Sequence, residues 1–344
     1  MVIERFLIMN NYLLSVYDKT EYNAGPKAKR DISRILSEKL NFKNIEFYFS
    51  LDSTISSKIN KIKYLNWDIP RKLKNKKIDN IFIQYPIYST VVTEKILSLL
   101  DSHVKVYYII HDLESLRSFK NDAKYLVEEI NRLNEADGII SHNSRMTTWL
   151  RENGVKTPIS DLEIFDYLTE NVAPESNSYE KTLCYAGNLQ KSDFLVNEFY
   201  PIDVYGPNPK KEYPNTVSYK GVFTPEELPK HLKESFGLIW DGNRIDECNG
   251  VYGEYMKYNN PHKVSLYLSS GLPVVIWEKA ALADFISKHQ AGIVVESLSQ
   301  LQNKLGSLTE EEYLNLRHNA QLVSEKLKNG HYIVKAVSNL IDNK

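Results

Sequence analysis

Residues 258–277 read YNNPHKVSLYLSSGLPVVIW. The stretch holds a helix followed by a short apolar strand. Asn260 suits an N-cap, and Pro261 suits the first helical position, where its missing N–H costs nothing. The pattern predicts a helix over Pro261–Ser270 and a strand over Pro273–Trp277. Helix-then-strand units of this kind build parallel sheets with helices on both faces.

The same alternation runs along the whole chain. In the first half Ile81–Tyr85, Val104–Ile110 and Gly138–Ser141 read as strands, and Ala24–Leu40, Thr90–Leu100, Tyr125–Leu133 and Arg145–Glu152 have helical spacing. Residues 167–179, YLTENVAPESNSY, are polar and contain Pro174, as a linker would be. The alternation then restarts with Thr182–Tyr185, Ile202–Tyr205 and Phe236–Trp240, and from about Thr309 the chain reads as helical. At 344 residues, and roughly 150 per domain, the economical expectation is α/β with two Rossmann-like domains facing a central cleft. The boundaries fall at 1–168 and 169–325, with a helix over 326–344 packing back on the first domain.

Composition narrows the function classes. Lys and Arg number 43 against 44 Asp and Glu, which disfavours a dedicated nucleic-acid binder. Residues 1–80 nevertheless carry 16 cations against 9 anions, five of them in Arg71–Lys77, a solvated face or a weak attraction to an anionic leaflet. Cys184 and Cys248 cannot make a disulfide framework, so a reduced, cytoplasmic protein is expected. No apolar run approaches the ~20 residues that cross a bilayer. The N-terminal stretch reads as a first strand, not a signal peptide.

Ligands of open parallel sheets bind outside the carboxyl ends of the strands. Three such ends in the second half carry Gly187-Asn188, Gly206 and Asp241-Gly242. His262 and Lys263 fall in the first turn of the predicted helix. A helix N-terminus already carries about half a positive charge, so an ammonium there is awkward unless an anion lies between. The two readings are a pyrophosphate cradle and a solvent-facing lysine on an ordinary helix start. No nicotinamide fingerprint is present, since Gly250 and Gly253 follow no strand, and no GxxxxGK[ST] loop occurs. A diphosphate site without either motif points to sugar-nucleotide chemistry. In the first half His111-Asp112 follows a strand end. Asp112 is a candidate general base, with His111 able to replace or orient it, or else a cap for a helix starting at Leu113. Ser141-His142-Asn143 has the same ambiguity, with His142 read as packed or capping. Asn23 and Gly25, in the Asn23–Pro26 turn, together with Arg117 and His142, are expected to line the cleft. The eight histidines show no metal-ligand spacing, so no metal is expected.

The series Ile110–Arg117 (IHDLESLR), Ile140–Asn143, Ile164–Leu168, Tyr185–Leu189 (YAGNL), Phe236–Gly242 (FGLIWDG), Tyr258–Lys263 and Lys279–Ile286, with Asn23–Asp31, resembles bacterial β-1,6-galactofuranosyltransferases. The glucosyltransferase that extends N-acetylglucosamine on serine-rich adhesins is a more distant likeness. The resemblance implies a GT-B glycosyltransferase with an acceptor-binding first domain and a donor-binding second domain. It implies a UDP-sugar, UDP-galactofuranose or another UDP-hexose, as co-substrate without further cofactor. Transfer would invert the anomeric carbon, onto a saccharide, lipid-linked oligosaccharide or glycoprotein. By position Asn260, Pro261, His262 and Lys263 match the diphosphate element, and Gly187, Asn188, Asp241 and Gly242 the donor-side loops. Lys191 is the nearest counterpart of a basic residue that follows the Gly-Asn pair in the distant relative. A cytoplasmic homo-oligomer is further implied, with the Arg71–Lys77 cations allowing peripheral contact at the inner face of the cell membrane. A UDP-sugar epimerase, which turns over without an acceptor, and a non-catalytic scaffold, which binds no nucleotide, are the competing readings.

Overall fold

The structure, a computed structural model, describes residues 9–18, 24–49, 63–170, 178–197 and 199–342. The first half builds a parallel sheet from β1 (Asn11–Asp18), β2 (Lys43–Phe49), β3 (Asn80–Tyr85), β4 (Lys105–Ile110), β5 (Gly138–Ser141) and β6 (Ile159–Asp161), in the order β2-β1-β3-β4-β5-β6. The second half builds another from β7 (Leu183–Ala186), β8 (Ile202–Tyr205), β9 (Val217–Gly221), β10 (Phe236–Ile239), β11 (Val274–Trp277) and β12 (Gly292–Val295), in the order β12-β11-β10-β7-β8-β9.

Both sheets are covered on both faces, as parallel sheets are. On β1, Leu13 enters one apolar cluster while Tyr12, Leu14 and Val16 enter the other, the period-two alternation of a strand. The cluster that holds Leu13 continues through Ile333, Ala336 and Val337 into the core of the second half. The helix that carries them, His331–Asp342, packs on helix Ala24–Leu40, β5 and β6. Asp166 accepts from the first-turn amides of Tyr332 and Ile333 at 3.2 and 2.7 Å.

Helix Ala24–Leu40 and strands β5 and β8 span the residues expected of them, and the other elements differ at their ends. The Thr90 helix stops at Leu97, short of the expected Leu100. Of the linker 167–179, residues 171–177 lie outside the described residues. Arg71 and Lys72 lie in the short helix Ile69–Leu73, and all five cations of 71–77 are exposed. Among the described residues no helix is long and apolar enough to cross a membrane. Both cysteines are free and buried.

The helix after Asn260 departs from expectation at its start. Its first helical residue is His262, Pro261 occupies the N-cap position, and no side chain caps it. The Asn260 amide is drawn into the first half instead. Its Nδ2 donates to the backbone oxygens of His142 at 2.7 Å and Glu163 at 3.2 Å. Its Oδ1 accepts from Asn143 Nδ2 at 2.7 Å, and its backbone N–H donates to His142 Nδ1 at 2.9 Å. The helix is seated on β10 at Gly237, where a β-carbon would come within 2.3 Å of the Tyr267 ring. Tyr267 Oη accepts from the backbone N–H of Ala186 at 2.6 Å. This close packing brings the amino end of the helix to the carboxyl ends of β7 and β10.

Candidate active site

A cavity of about 500 Å³ lies between the carboxyl ends of the two sheets. Its wall takes His111, Asp112, Arg117 and His142 from the first half, and Gly187, Asn188, Lys191, Asp241, Asn260, Pro261, His262 and Lys263 from the second. Gly242 is a correction. It is not in the wall, but braces it from behind, donating to Lys191 O at 3.0 Å and accepting from the Phe194 amide at 3.0 Å. Asn23 lies outside the described residues, and Gly25 is in the first turn of helix Ala24–Leu40, whose Lys27 and Ala28 reach the cavity.

The loop after β7 rests on the loop after β8. Gly187 N–H donates to Tyr205 O at 3.0 Å, and Leu189 N–H to Pro207 O at 3.0 Å. Gly206, at φ 139°, is tight against this contact: a β-carbon there would lie 1.8 Å from Gly187 O. Asn188 Oδ1 accepts from Gln190 N at 3.1 Å and starts the short 3₁₀ turn Leu189–Lys191, which turns Lys191 into the cavity.

Lys263 is neither bare nor solvent-facing. Its Nζ lies 2.8 Å from Asp241 Oδ1 and 2.9 Å from Tyr185 Oη, and 4.3 Å from the centroid of the Tyr185 ring. The anion that the helix start demanded is supplied within the chain, by the carboxylate at the end of β10. Lys191 is placed differently. Its ammonium sits 4.0 Å from the Tyr252 ring centroid, with no carboxylate in ion-pair range among the described residues, and burial lowers its pKa. His262 Nε2 is buried without a hydrogen-bond partner, and burial pushes that imidazole down to about 3.

Across the cavity, Asp112 does not cap a helix, because residues 114–121 form turns. The Leu113 amide is taken instead by Tyr255 Oη at 3.0 Å, a second-half tyrosine packed in the first-half core. Asp112 Oδ2 accepts from Tyr88 Oη at 3.0 Å and meets Arg117 Nη1 at 2.9 Å. Both interactions fall on Oδ2. Burial raises the Asp112 carboxyl above its ordinary range, against the opposing pull of Arg117. His142 is fully committed: Nε2 pairs with Ile110 O at 3.1 Å while Nδ1 accepts from Asn260, and burial holds it near 4. It lines the cavity as part of the wall and has no nitrogen left for substrate.

Sequence reasoning missed Lys27, Tyr185, Tyr205 and Tyr252, and the flank of Phe223, Pro225 and Leu228 beyond Gly206-Pro207. Strand ends, helix starts and the family likeness were the signals used, and these residues lie inside elements or well beyond strand ends. Among the described residues no three His, Cys, Asp or Glu side chains group as metal ligands would.

Two family models match the chain, the glucosyltransferase 3-like N-terminal domain over residues 10–164 and the glucosyltransferase 3-like C-terminal domain over 183–340. The β-1,6-galactofuranosyltransferase WbbI of Escherichia coli K12 is 33% identical, covering 96% of this chain and 98% of that protein. Glucosyltransferase 3 of Streptococcus gordonii is 24% identical, covering 94% and 96%. Among solved structures, sucrose-phosphate synthase of Thermosynechococcus elongatus superposes with a TM-score of 0.66 at 11% identity, covering 97% of this chain and 98% of that one. Anabaena HepE, solved with UDP and glucose, gives 0.64 at 11% identity, covering 98% and 100%. The two facing sheets are those of the GT-B fold, and the chain belongs to the glucosyltransferase 3-like family of glycosyltransferases.

Proposed function

We propose that the enzyme transfers a hexose, galactofuranose, from its UDP-sugar to a hydroxyl of a saccharide acceptor, with inversion and without a metal ion. The observation that carries this reading is the opposition of two sets of groups across one cavity. Lys191, Lys263 and the amide end of helix His262–Ser269 stand on the second-half side, and Asp112 stands on the first-half side. The first set suits a leaving diphosphate, whose charge grows as the sugar–phosphate bond breaks. The orphaned His262 Nε2 adds a polar group that a ligand would satisfy. Asp112 suits removal of the acceptor proton, since a carboxyl raised by burial is a stronger base and Oδ2 alone is held by its neighbours.

The donor is inferred from the relative at 33% identity, named for galactofuranosyl transfer, and from HepE, also solved with UDP-glucose. A β-linked product from an α-linked nucleotide sugar requires attack on the face opposite the leaving group, which matches a base and a diphosphate site on opposite walls. The flank of Tyr205, Phe223 and Pro225 offers apolar surface for the nucleobase. If the acceptor is lipid-carried, the exposed cations of Arg71–Lys77 would attract an anionic leaflet.

The test is a screen of UDP-galactofuranose, UDP-galactopyranose, UDP-glucose and UDP-N-acetylglucosamine with saccharide acceptors, read by product mass, with and without EDTA. The expected result is acceptor-dependent transfer of galactofuranose that survives EDTA. Transfer only of another hexose would overturn the donor assignment. Turnover without an acceptor would favour an epimerase, and loss of activity in EDTA would end the metal-free mechanism.

A further inference from the structure

Gln84 lies near the end of β3, on the face that carries Phe82, and is fully buried. Its side-chain nitrogen donates to Ser15 Oγ at 2.6 Å and to the backbone carbonyl of Lys29 at 3.1 Å, with Ser33 Oγ at 3.3 Å. A carbonyl oxygen only accepts, so the Lys29 contact fixes which way the amide faces. Gln84 Oε1 then meets His111 Nε2 at 2.7 Å, and an amide oxygen also only accepts. The hydrogen is therefore on Nε2 of His111.

The other ring nitrogen is left for the cleft. Nδ1 takes no hydrogen bond among the described residues, and His111 forms part of the cavity wall beside Asp112. The ring is stacked on Phe165, with centroids 5.4 Å apart and planes 17° apart, which holds its orientation. Burial, together with Lys29, His142 and His262 facing the ring, holds the imidazole neutral, well below its ordinary pKa. Asp112, the next residue, is committed through Oδ2 to Arg117 and Tyr88.

We propose that Gln84 is a positioning residue: it locks His111 as the Nε2–H tautomer, so that Nδ1 presents a lone pair to a hydroxyl of the sugar bound in the cleft. This rests on the reading of the cavity as the sugar-nucleotide site. Gln84 itself touches no substrate and acts through the ring.

The test uses ¹⁵N spectra of the histidine side chains in the full chain, with His111 assigned by its loss in His111→Gln. The expected wild-type ring is neutral with the proton on Nε2 from pH 6 to 8. In Gln84→Leu both tautomers should appear, and kcat/KM for UDP-galactofuranose should fall about tenfold, one hydrogen bond's worth, while UDP binds as before. Gln84→Glu keeps an acceptor at Nε2, so it should keep the tautomer and raise the His111 pKa into the titratable range. A wild-type ring protonated on Nδ1, or unchanged kinetics in a Gln84→Leu protein with mixed tautomers, would overturn the proposal. Should Gln84→Leu not fold, the wild-type spectrum and Gln84→Glu still decide. Full activity in His111→Gln would instead remove the ring from sugar binding and leave the tautomer assignment standing, which separates the two failures.

Discussion

Lys263 Nζ and Asp241 Oδ1 lie 2.8 Å apart, an ion pair formed by the first turn of one helix and the end of the neighbouring strand. Both side chains are largely buried, and Tyr185 Oη donates to the same carboxylate oxygen at 2.9 Å. The lysine is thus held at the proposed diphosphate position by a carboxylate that also neutralises it. Removing one member and removing both should have different consequences.

Lys263→Ala should raise the KM for the donor about ten- to a hundredfold, the range of a charge-assisted hydrogen bond. It should also lower Tm, because Asp241 is left with a buried charge and only the tyrosine hydroxyl. Lys263→Ala with Asp241→Asn should recover most of the lost Tm and none of the lost affinity. Thermal melts and donor kinetics on the three proteins check this. A double variant that regains the wild-type KM would take Lys263 out of donor binding.

Asp112→Asn should cut kcat at least ~100-fold with donor binding intact, as expected for a lost general base. The amide keeps an oxygen for Tyr88 and Arg117, so Tm should fall little. Single-turnover rates with calorimetric titration of UDP are the measurement. Turnover near wild type would return Asp112 to a purely structural pairing with Arg117.

How much of this was legible beforehand depends on the range of the interaction. Helix Ala24–Leu40 and strands β5 and β8 were readable because periodicity and flanking residues are local signals. Strand ends located the cavity, since the sheet topology itself brings Asp112, Gly187 and Asp241 to one rim. Partnerships across the chain were not readable. Asn260 looked like an N-cap because the following proline fits one, yet its amide is spent on His142, Asn143 and Glu163, about a hundred residues away. Gln84 looked like one more residue of a buried strand; the pairing of β3 with β4 brings it to His111, and helix Ala24–Leu40 fixes which way its amide faces.

Gly206 and Gly187 should differ sharply on substitution by alanine. At Gly206 the new carbon would overlap Gly187 O at 1.8 Å, backbone that cannot give way without moving the loop after β7. At Gly187 its nearest neighbour would be Lys263 Cδ at 3.5 Å, ordinary contact, although φ 152° still disfavours a side chain. Gly206→Ala should therefore lose at least ~2 kcal/mol of stability together with donor binding, and Gly187→Ala should lose less. Denaturant melts of the two variants rank them, and equal losses would mean that the loop contact is soft.

Acid should loosen the seam between the halves through His142. Its folded pKa is near 4, below the ordinary value of 6.5. Between those values the unfolded chain takes up a proton that the folded ring refuses, so stability falls as pH drops from about 6.5 to about 4. Each such ring contributes a slope of roughly 1.4 kcal/mol per pH unit. Carboxyls raised by burial, Asp112 among them, act in the opposite sense, because the folded state binds their proton first. The informative quantity is therefore the difference between the wild type and His142→Asn. The variant should be less stable at pH 7, since the Asn260 amide loses its acceptor, but its stability should depend on pH with about one proton less over this window. Parallel melts from pH 7.5 to 4.5 measure it. Identical slopes would mean that His142 is protonated in the folded protein and that the Asn260 contact is made some other way.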